Sequence, residues 1–321
     1  DQALSRLPSV KDEDAERIVK VMDEMLFALC EGQDNVVITR AAMNDAHMEY
    51  LKDIGFSFSN VYLKEALFGG KTGNRKSVCD LETEKSTCRI LYEMKKRVHI
   101  ARKAASPGKL DPYAVLPWTE GFTQKYKLEA SLPHINVVKK VNSKAYSTLL
   151  SQSICGLNYS FVAYSGQELL KIGRELLEKT PILVKDEFGV SGNGNLLISN
   201  ASILDRVSEY IMKQERMGKR TCIVVEKLLN KKTDYSSQLF IDENGQLRII
   251  SINKMNNTGF SFSEISDTDE KLFSLLEKSK YTYTIQSIAQ DIFRQGYFGC
   301  VCVDSMLLLF LMSNVTAVAW L

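Results

Sequence analysis

The segment that most constrains the fold is residues 181–195, with the sequence PILVKDEFGVSGNGN. It opens with an apolar, β-branched run that is typical of a buried strand and that ends at a single lysine, Lys185. Three glycines, Gly189, Gly192 and Gly194, follow within six residues. A glycine-rich loop lets backbone N–H groups approach anionic oxygens closely, because no Cβ stands in the way. The segment therefore predicts a site for a polyphosphate.

The same residues also have a plainer interpretation. A lone strand lysine is commonly a solvated edge residue, and clustered glycines are commonly a simple turn. The occurrence of lysine, strand and loop together favours the phosphate site. ATP carries several negative charges, so its site needs cations and N–H donors. Lys144, at the start of a predicted helix with Asn142 or Ser143 as N-cap, would add a second point charge.

Two later strand ends carry carboxylates. The run VVEKLL, residues 224–229, could present backbone groups to an adenine edge while Glu226 accepts from the exocyclic amine. Asp234 lies further along, at suitable reach for ribose hydroxyls. Asp304 ends the strand YFGCVCVD and suits Mg²⁺, which takes one or two carboxylates plus phosphate oxygens. The alternatives are a capping or surface glutamate and an ordinary strand-end aspartate.

The rest of the chain alternates between strand and helix patterns. Helical periodicity is found at 11–31, 41–54, 81–104, 166–179, 201–217 and 273–295. Strands are predicted at 35–39, 161–164 and 221–226, and a hairpin at 236–253 turns at an Asn-Gly that favours type I′ geometry. Residues 69–88 are polar and loop-like, and 105–117 carry three of the six prolines. The alternation over the first 110 residues or so predicts a small α/β domain there.

Composition excludes several classes of protein. With 321 residues, 25% charged residues and a net charge of +2, the chain lacks the basic excess of a nucleic-acid-binding protein. Its seven cysteines and three histidines form no CxxC or zinc-type spacing, which predicts reduced thiols and a cytoplasmic location. The uncharged segment 305–321 is shorter than a membrane span of about 20 residues, so one or two buried strands are expected there. Oligomeric state is left open.

The order of these motifs resembles the ATP-grasp superfamily, in particular the carboxylate–amine ligases of natural-product and peptide assembly (pheganomycin-type and butirosin-type ligases). The segments VNSK, PILVKDEFGVSGNGNLLI, VVEKLL and GYFGCVCVDSM carry the resemblance, over residues 113–306. It implies a mixed α/β chain in which a small Rossmann-like domain, residues 1–112, precedes an ATP-grasp domain of two α+β subdomains, residues 113–321.

The resemblance also implies the roles of individual residues. Lys144 and Lys185 would contact the phosphates, and Lys185 and Ser191 are the expected catalytic residues. The nucleotide would further contact Gly189, Ser191, Gly192, Gly194, Glu226, Lys227, Leu228, Leu229 and Asp234, and Asp304 would bind Mg²⁺. The implied reaction joins a small-molecule carboxylate to an amine, such as an amino acid or peptide. It proceeds through an acyl phosphate and releases ADP and phosphate, without nucleic acid or membrane.

The chain departs from the family pattern after Asp304. Members carry a Glu-x-Asn-x-Arg segment there for metal and acyl phosphate, whereas this chain has no later Glu or Arg, and Asn314 is the only candidate ligand. The C-terminal part is therefore expected to be incomplete or altered, and a reading-frame shift near residue 307 is one hypothesis. Three functions stay open: an impaired ligase, an inactive ATP-binding or interaction module, and a kinase-like phosphotransferase, which the absence of a dense basic cluster disfavours.

Overall fold

The computed structural model describes residues 3–8, 17, 21–30, 35–39, 41–62, 109–110, 112, 114–117, 119–156, 158–189, 194–258, 261–266, 274, 276–309 and 316–320. The chain forms two compact units, one of Asp1–Val10 with Leu132–Leu321 and the other of Lys11–Ser131. No pattern in the sequence predicted that the first ten residues group with the larger unit. The division at residues 112 and 113 stays a prediction.

The smaller unit contains a parallel strand pair joined through a helix. Strand β1 (Asn35–Thr39) pairs with β2 (Phe58–Tyr62), and helix α1 (Asp45–Asp53) lies between them in sequence. The Asn44 side chain caps α1 by accepting from the His47 N–H. The predicted strand at 35–39 is confirmed, and so is a helix within 41–54. A 3₁₀ helix (Met22–Leu29) and helix α2 (Thr119–Tyr126) belong to the same unit, whereas the segments predicted at 69–88 and 81–104 lie outside the described residues.

The first layer of the larger unit is a four-stranded antiparallel sheet. Its strands are β3 (Ser160–Ala163), β4 (Ile182–Asp186), β5 (Asn195–Ile198) and β6 (Ile223–Lys227), in the order β3-β6-β4-β5. Helices α5 (Gly166–Leu177) and α6 (Ala201–Arg216) follow β3 and β5. Alternate strand residues, including Ile182 and Val184, share one apolar core with Leu169 and Leu204 of these helices. Lys185 therefore lies on the opposite face of β4, because successive strand side chains alternate.

The second layer is a five-stranded antiparallel sheet. It consists of β7 (Lys231–Ile241), β8 (Leu247–Thr258), β9 (Ser261–Ser266), β10 (Gly299–Leu309) and β11 (Thr316–Trp320), in the order β11-β10-β7-β8-β9. Helices α3 (Ile135–Val141), α4 (Lys144–Cys155) and α7 (Tyr281–Arg294) complete the unit. Tyr281 and Ile285 of α7 share a core with Tyr235 and Val303 of this sheet. Asp304 and Ser236, directly opposite each other on β10 and β7, belong to the alternate positions and so to the other face.

The turn between β7 and β8 differs from the predicted geometry. Type I′ requires positive φ at both central residues, but here Gly245 has φ +83° and Asn244 does not have a positive φ. The Asp242 carboxylate accepts from the N–H groups of Asn244 (2.9 Å) and Gln246 (2.7 Å). This local side-chain capping stabilises a longer turn with a single left-handed residue.

The apolar C-terminal segment forms strands, as expected. β10 continues through Leu309 and pairs antiparallel with β11. Within the described parts of the chain, no helix combines the length and apolar character needed to cross a membrane.

Candidate active site

A buried ion pair lies at the centre of the candidate site. Lys185 of β4 and Glu226 of β6 occupy the sheet face that is turned away from α5 and α6. Lys185 Nζ lies 2.6 Å from Glu226 Oε2, and the two side chains are only 8% and 12% exposed. Leu183, directly opposite Glu226, places the carboxylate one diagonal step from the lysine. The strand predicted to deliver Lys185 is thus present, and the lysine is buried and paired.

Lys144 brings a second ammonium group to this site. It is the first residue of α4, directly after Ser143, whose hydroxyl caps the helix by accepting from the Ala145 N–H. Its Nζ donates to the carbonyl of Gly189, at the start of the glycine-rich segment. Burial lowers the pKa of Lys144, and the nearby Lys185 ammonium lowers it further. The two predicted phosphate lysines are therefore within electrostatic range of each other.

Asp304 approaches the same lysine from the second sheet. Burial raises the pKa of Asp304, hydrogen bonds from Ser236 and Cys302 lower it, and the neighbouring Asp234 carboxylate raises it. Lys185 also lowers the pKa of Asp304. Charged side chains from both sheets and from the start of α4 thus meet at one place in the larger unit.

Asp234 is held at one oxygen and unsatisfied at the other. Its Oδ2 accepts from Lys231 Nζ (2.5 Å) and from Asn257 Nδ2 (2.6 Å). Its Oδ1 is buried, and no described residue donates a hydrogen bond to it. A buried carboxylate oxygen without a donor is costly. A hydroxyl that donated to this oxygen would remove that cost, but the oxygen has almost no exposed surface, and the ribose role of Asp234 stays a prediction.

Both described ends of the glycine-rich segment are fixed by Asp186. The Asp186 N–H donates to the Gly194 carbonyl (2.8 Å), and the Gly189 N–H donates to the Asp186 carbonyl (3.4 Å). Gly194 has φ +80°, and a Cβ added there would lie 2.8 Å from Asp186 Oδ2. Both observations require glycine at position 194. The predicted contacts Ser191 and Gly192 lie outside the described residues.

The predicted adenine segment is already partly engaged within the protein. The Lys227 N–H donates to the Tyr159 carbonyl (2.8 Å), and the Leu228 N–H donates to the Pro181 carbonyl (2.9 Å). The N–H groups of Lys227 and Leu228 therefore already have partners. The groups of this segment left for an adenine edge are the Glu226 side chain, the Lys227 carbonyl and the Leu229 amide. Leu229 also packs against the buried Tyr159 and Met306.

A metal ion at this site would need further ligands beyond the described carboxylates. Among the described residues, no group of three or more His, Cys, Asp or Glu side chains is arranged to hold a metal. Asp304, with Asp234 nearby, supplies the carboxylate character that Mg²⁺ prefers, and phosphate oxygens would complete the shell. The donor set fits Mg²⁺ bound together with a nucleotide.

Sequence reasoning did not single out Asp186 and Glu187. Both are buried directly after Lys185, and Glu187 accepts from the Ser143 hydroxyl (2.8 Å) and from the Lys144 N–H (3.1 Å, at its carbonyl). The available signal was the pair of acidic residues following a strand lysine. Two carboxylates beside a proposed phosphate site would repel the phosphates, so they are unexpected there unless cations or N–H groups bind them.

Comparison with solved structures identifies the fold. The chain is similar to N5-carboxyaminoimidazole synthetase from Staphylococcus aureus in complex with ADP, with 13% identity and a TM-score of 0.52 over 90% of this chain and 69% of that one. It is also similar to biotin carboxylase from Campylobacter jejuni in a β,γ-ATP complex, with 13% identity and a TM-score of 0.56 over 95% of this chain and 62% of that one. A third similar structure is the biotin carboxylase domain of Hydrogenobacter thermophilus 2-oxoglutarate carboxylase with MgADP, ADP and bicarbonate, with 14% identity and a TM-score of 0.51 over 90% of this chain and 62% of that one.

These similarities show that the chain has the ATP-grasp fold, which confirms the predicted fold class. At 13–14% identity they establish the fold alone. The chain spans 62% of the length of two of these three neighbours. No protein-family model matches the chain, and neither does any curated protein.

Proposed function

We propose that this protein binds ATP with Mg²⁺ and acts as an ADP-forming ligase that joins a carboxylate to an amine through an acyl phosphate. One observation carries the proposal. Lys185 lies 2.6 Å from Glu226 and interacts electrostatically with both Lys144 and Asp304, so four predicted site residues from separate elements converge. Nucleotides in the solved neighbours of the same fold support it.

The proposed roles follow from charge. Lys144 and Lys185 would bind the phosphates and neutralise charge that builds on the transferring phosphoryl group. Glu226 and the Leu229 amide would contact adenine, and Asp234 Oδ1 would accept from a ribose hydroxyl. Asp304 would hold Mg²⁺, which when bound supplies Lewis-acid stabilisation to the phosphate oxygens. Ser191 and the glycines at 189, 192 and 194 are proposed as the phosphate loop.

The proposed reaction requires no side-chain nucleophile, because the substrate carboxylate is itself the nucleophile. The substrate carboxylate attacks the γ-phosphorus, the bond to ADP breaks, and an amine then displaces phosphate from the acyl phosphate. The protein's task is to position the reactants and stabilise charge. The partners are thus a small-molecule carboxylate and an amine, such as an amino acid or short peptide.

A second candidate is an ATP-binding module without turnover. It is favoured by the departure from the family pattern after Asp304, where residues 305–321 contain no Glu or Arg. Such a module would gain thermal stability with ATP but would release no ADP.

The test combines binding with turnover. Purified protein is screened with amino acids and short peptides for ADP release, and ATP binding is followed in parallel by calorimetry. Lys185→Ala should lower the rate per folded molecule about 10²–10³-fold, by analogy with other groups that stabilise transition-state charge. Lys171→Ala, at an exposed position of α5, serves as the matched control. A loss of only a few-fold for Lys185→Ala contradicts the assignment, and binding without ADP release favours the module.

A further inference from the structure

We propose that Asp186 is a positioning residue that uses the N-terminal segment, residues 3–8, to fix the phosphate-binding elements Lys144 and the glycine-rich segment. The inference rests on the proposed ATP site, because it assigns a purpose to residues that surround that site. Asp186 would affect phosphate binding by positioning Lys144 and the glycine-rich segment, without contacting the phosphates itself.

The N-terminal segment is attached by backbone pairing to Arg220, just before β6. The Arg220 N–H donates to the Ala3 carbonyl (2.8 Å), and the Ser5 N–H donates to the Arg220 carbonyl (2.9 Å), which forms a parallel bridge. The Ser5 and Thr221 hydroxyls are hydrogen-bonded at 3.0 Å in a buried position. Leu4 and Leu7 are almost fully buried. The segment is therefore bound in the manner of an added strand.

The segment ends on the Asp186 carboxylate. The Leu7 N–H donates to Asp186 Oδ1 (2.9 Å), and the Arg6 guanidinium lies 3.9 Å from Oδ2. Burial raises the pKa of Asp186, while the Leu7 hydrogen bond and the charges of Arg6 and Lys144 lower it. The two contacts with the N-terminal segment therefore help to stabilise this buried carboxylate, together with the Lys144 charge.

Asp186 also contacts both described ends of the glycine-rich segment. Its backbone is hydrogen-bonded to Gly194 and Gly189, and its Oδ2 lies 2.8 Å from the point that a Cβ at Gly194 would occupy. Asp186 also follows Lys185 directly. A carboxylate would repel nucleotide phosphates, and its oxygens face Leu7, Arg6 and Gly194, so its contribution to phosphate binding has to be made through neighbouring groups.

Glu187 extends the same connection to Lys144. Arg220, whose backbone pairs with the N-terminal segment, donates to Glu187 Oε2 (3.2 Å), and Glu187 binds the Ser143 hydroxyl and the Lys144 N–H. The Arg220 side chain is 59% exposed, and exposed ion pairs contribute little. Asp186 is therefore the principal link, and Glu187 the secondary one.

The first experiment compares ATP with adenosine. Asp186→Ala should weaken ATP binding by about 10- to 100-fold, since a hydrogen bond to a buried charge is lost and the phosphate elements are released. Adenosine, which lacks phosphates, should bind within about twofold of the unchanged protein by the same argument. Asp205→Ala is the control, because Asp205 forms an exposed ion pair with Arg174 between α6 and α5. Equal losses for ATP and adenosine would indicate a merely structural role and overturn the proposal, as would unchanged ATP binding.

The second experiment needs no nucleotide. Leu7→Pro removes both the buried side chain and the N–H that donates to Asp186, whereas Leu7→Ala removes the side chain and keeps the donor. Hydrogen exchange of the Asp186 N–H, which is bonded to Gly194, should be about tenfold faster in Leu7→Pro than in Leu7→Ala. Equal exchange would refute the link. If the unchanged protein bound neither ATP nor adenosine, the proposed function would fail while this comparison still decided the positioning role.

Discussion

Breaking the Lys185–Glu226 pair from one side should strongly destabilise the larger unit. We consider Lys185→Met, which keeps the length of the side chain and removes its charge. The two charged atoms lie 2.6 Å apart, with side chains 8% and 12% exposed, and the flanking Val184, Val224 and Val225 are fully buried. At an effective dielectric constant near 20, the attraction over this distance is about 6 kcal/mol, and desolvation of the two ions offsets most of it.

The single and double substitutions should differ in their effect on the free energy of unfolding. In Lys185→Met the Glu226 carboxylate stays buried without its partner, which should cost about 3–5 kcal/mol. Lys185→Met combined with Glu226→Leu removes both charges, and its stability should return to within about 1 kcal/mol of the unchanged protein. Arg174→Met, which breaks the exposed pair with Asp205, should cost at most about 1 kcal/mol.

Urea denaturation provides the measurement. The midpoint should shift with little change in slope, because the surface exposed on unfolding is nearly the same in each variant. For a unit of this size, the expected loss corresponds to a melting temperature lower by about 6–20 °C. Two results would refute the reasoning: a cost for Lys185→Met no larger than for Arg174→Met, or a double variant that simply adds the two single losses.

Three further predictions concern Lys144 and Gly173. Burial lowers the pKa of Lys144 below its ordinary 10.5, so ATP affinity should fall as pH rises through that lowered value; Lys144→Arg, which stays protonated, should keep its affinity, as measured by calorimetry across a pH series. The same shift means that unfolding free energy rises with pH between the lowered pKa and 10.5, because the unfolded chain holds the proton more tightly there. Gly173→Ala would place a Cβ 2.6 Å from a Leu204 methyl carbon between α5 and α6 and should cost about 1–3 kcal/mol, whereas Gly121→Ala, with open space around it, should be neutral or slightly stabilising in thermal melts.

Local sequence patterns predicted the elements that carry the site. The β-branched run before Lys185 indicated a buried strand because few other structures accommodate it. A cap at Asn142 or Ser143 was predicted for the Lys144 helix, and Ser143 is the residue that caps it. The turn at Asn244 was predicted incorrectly, since the Asn-Gly rule ignores a competing aspartate at the start of the turn. Asp242 was visible in the sequence. The prediction was wrong because the Asn-Gly pair was given more importance than the aspartate at the start of the turn.

Contacts between distant residues could not be predicted in the same way. Ser5 meets Thr221 across 216 positions of sequence, and the Leu7 amide reaches Asp186 across 179. The Lys185–Glu226 pair depends on the register of β4 against β6, and a slip of one residue would move one partner to the opposite face. Register is set by packing of the whole sheet, so neither pattern nor propensity in one segment determines it.

Three energetic costs of this unit lie at the candidate site. The ion pair of Lys185, the lowered pKa of Lys144 and the unsatisfied oxygen of Asp234 each oppose folding, whereas the cores beside them are apolar and well packed. Packing alone would favour hydrophobic residues at these positions, because replacing a buried pair by apolar side chains is often stabilising. A polyanionic ligand with hydroxyl groups would offset all three costs at once, since it favours charged lysines and gives Asp234 a donor. A ligand that binds only the folded state adds its binding free energy to stability, so the largest thermal stabilisation should come from the ligand that satisfies all three groups together.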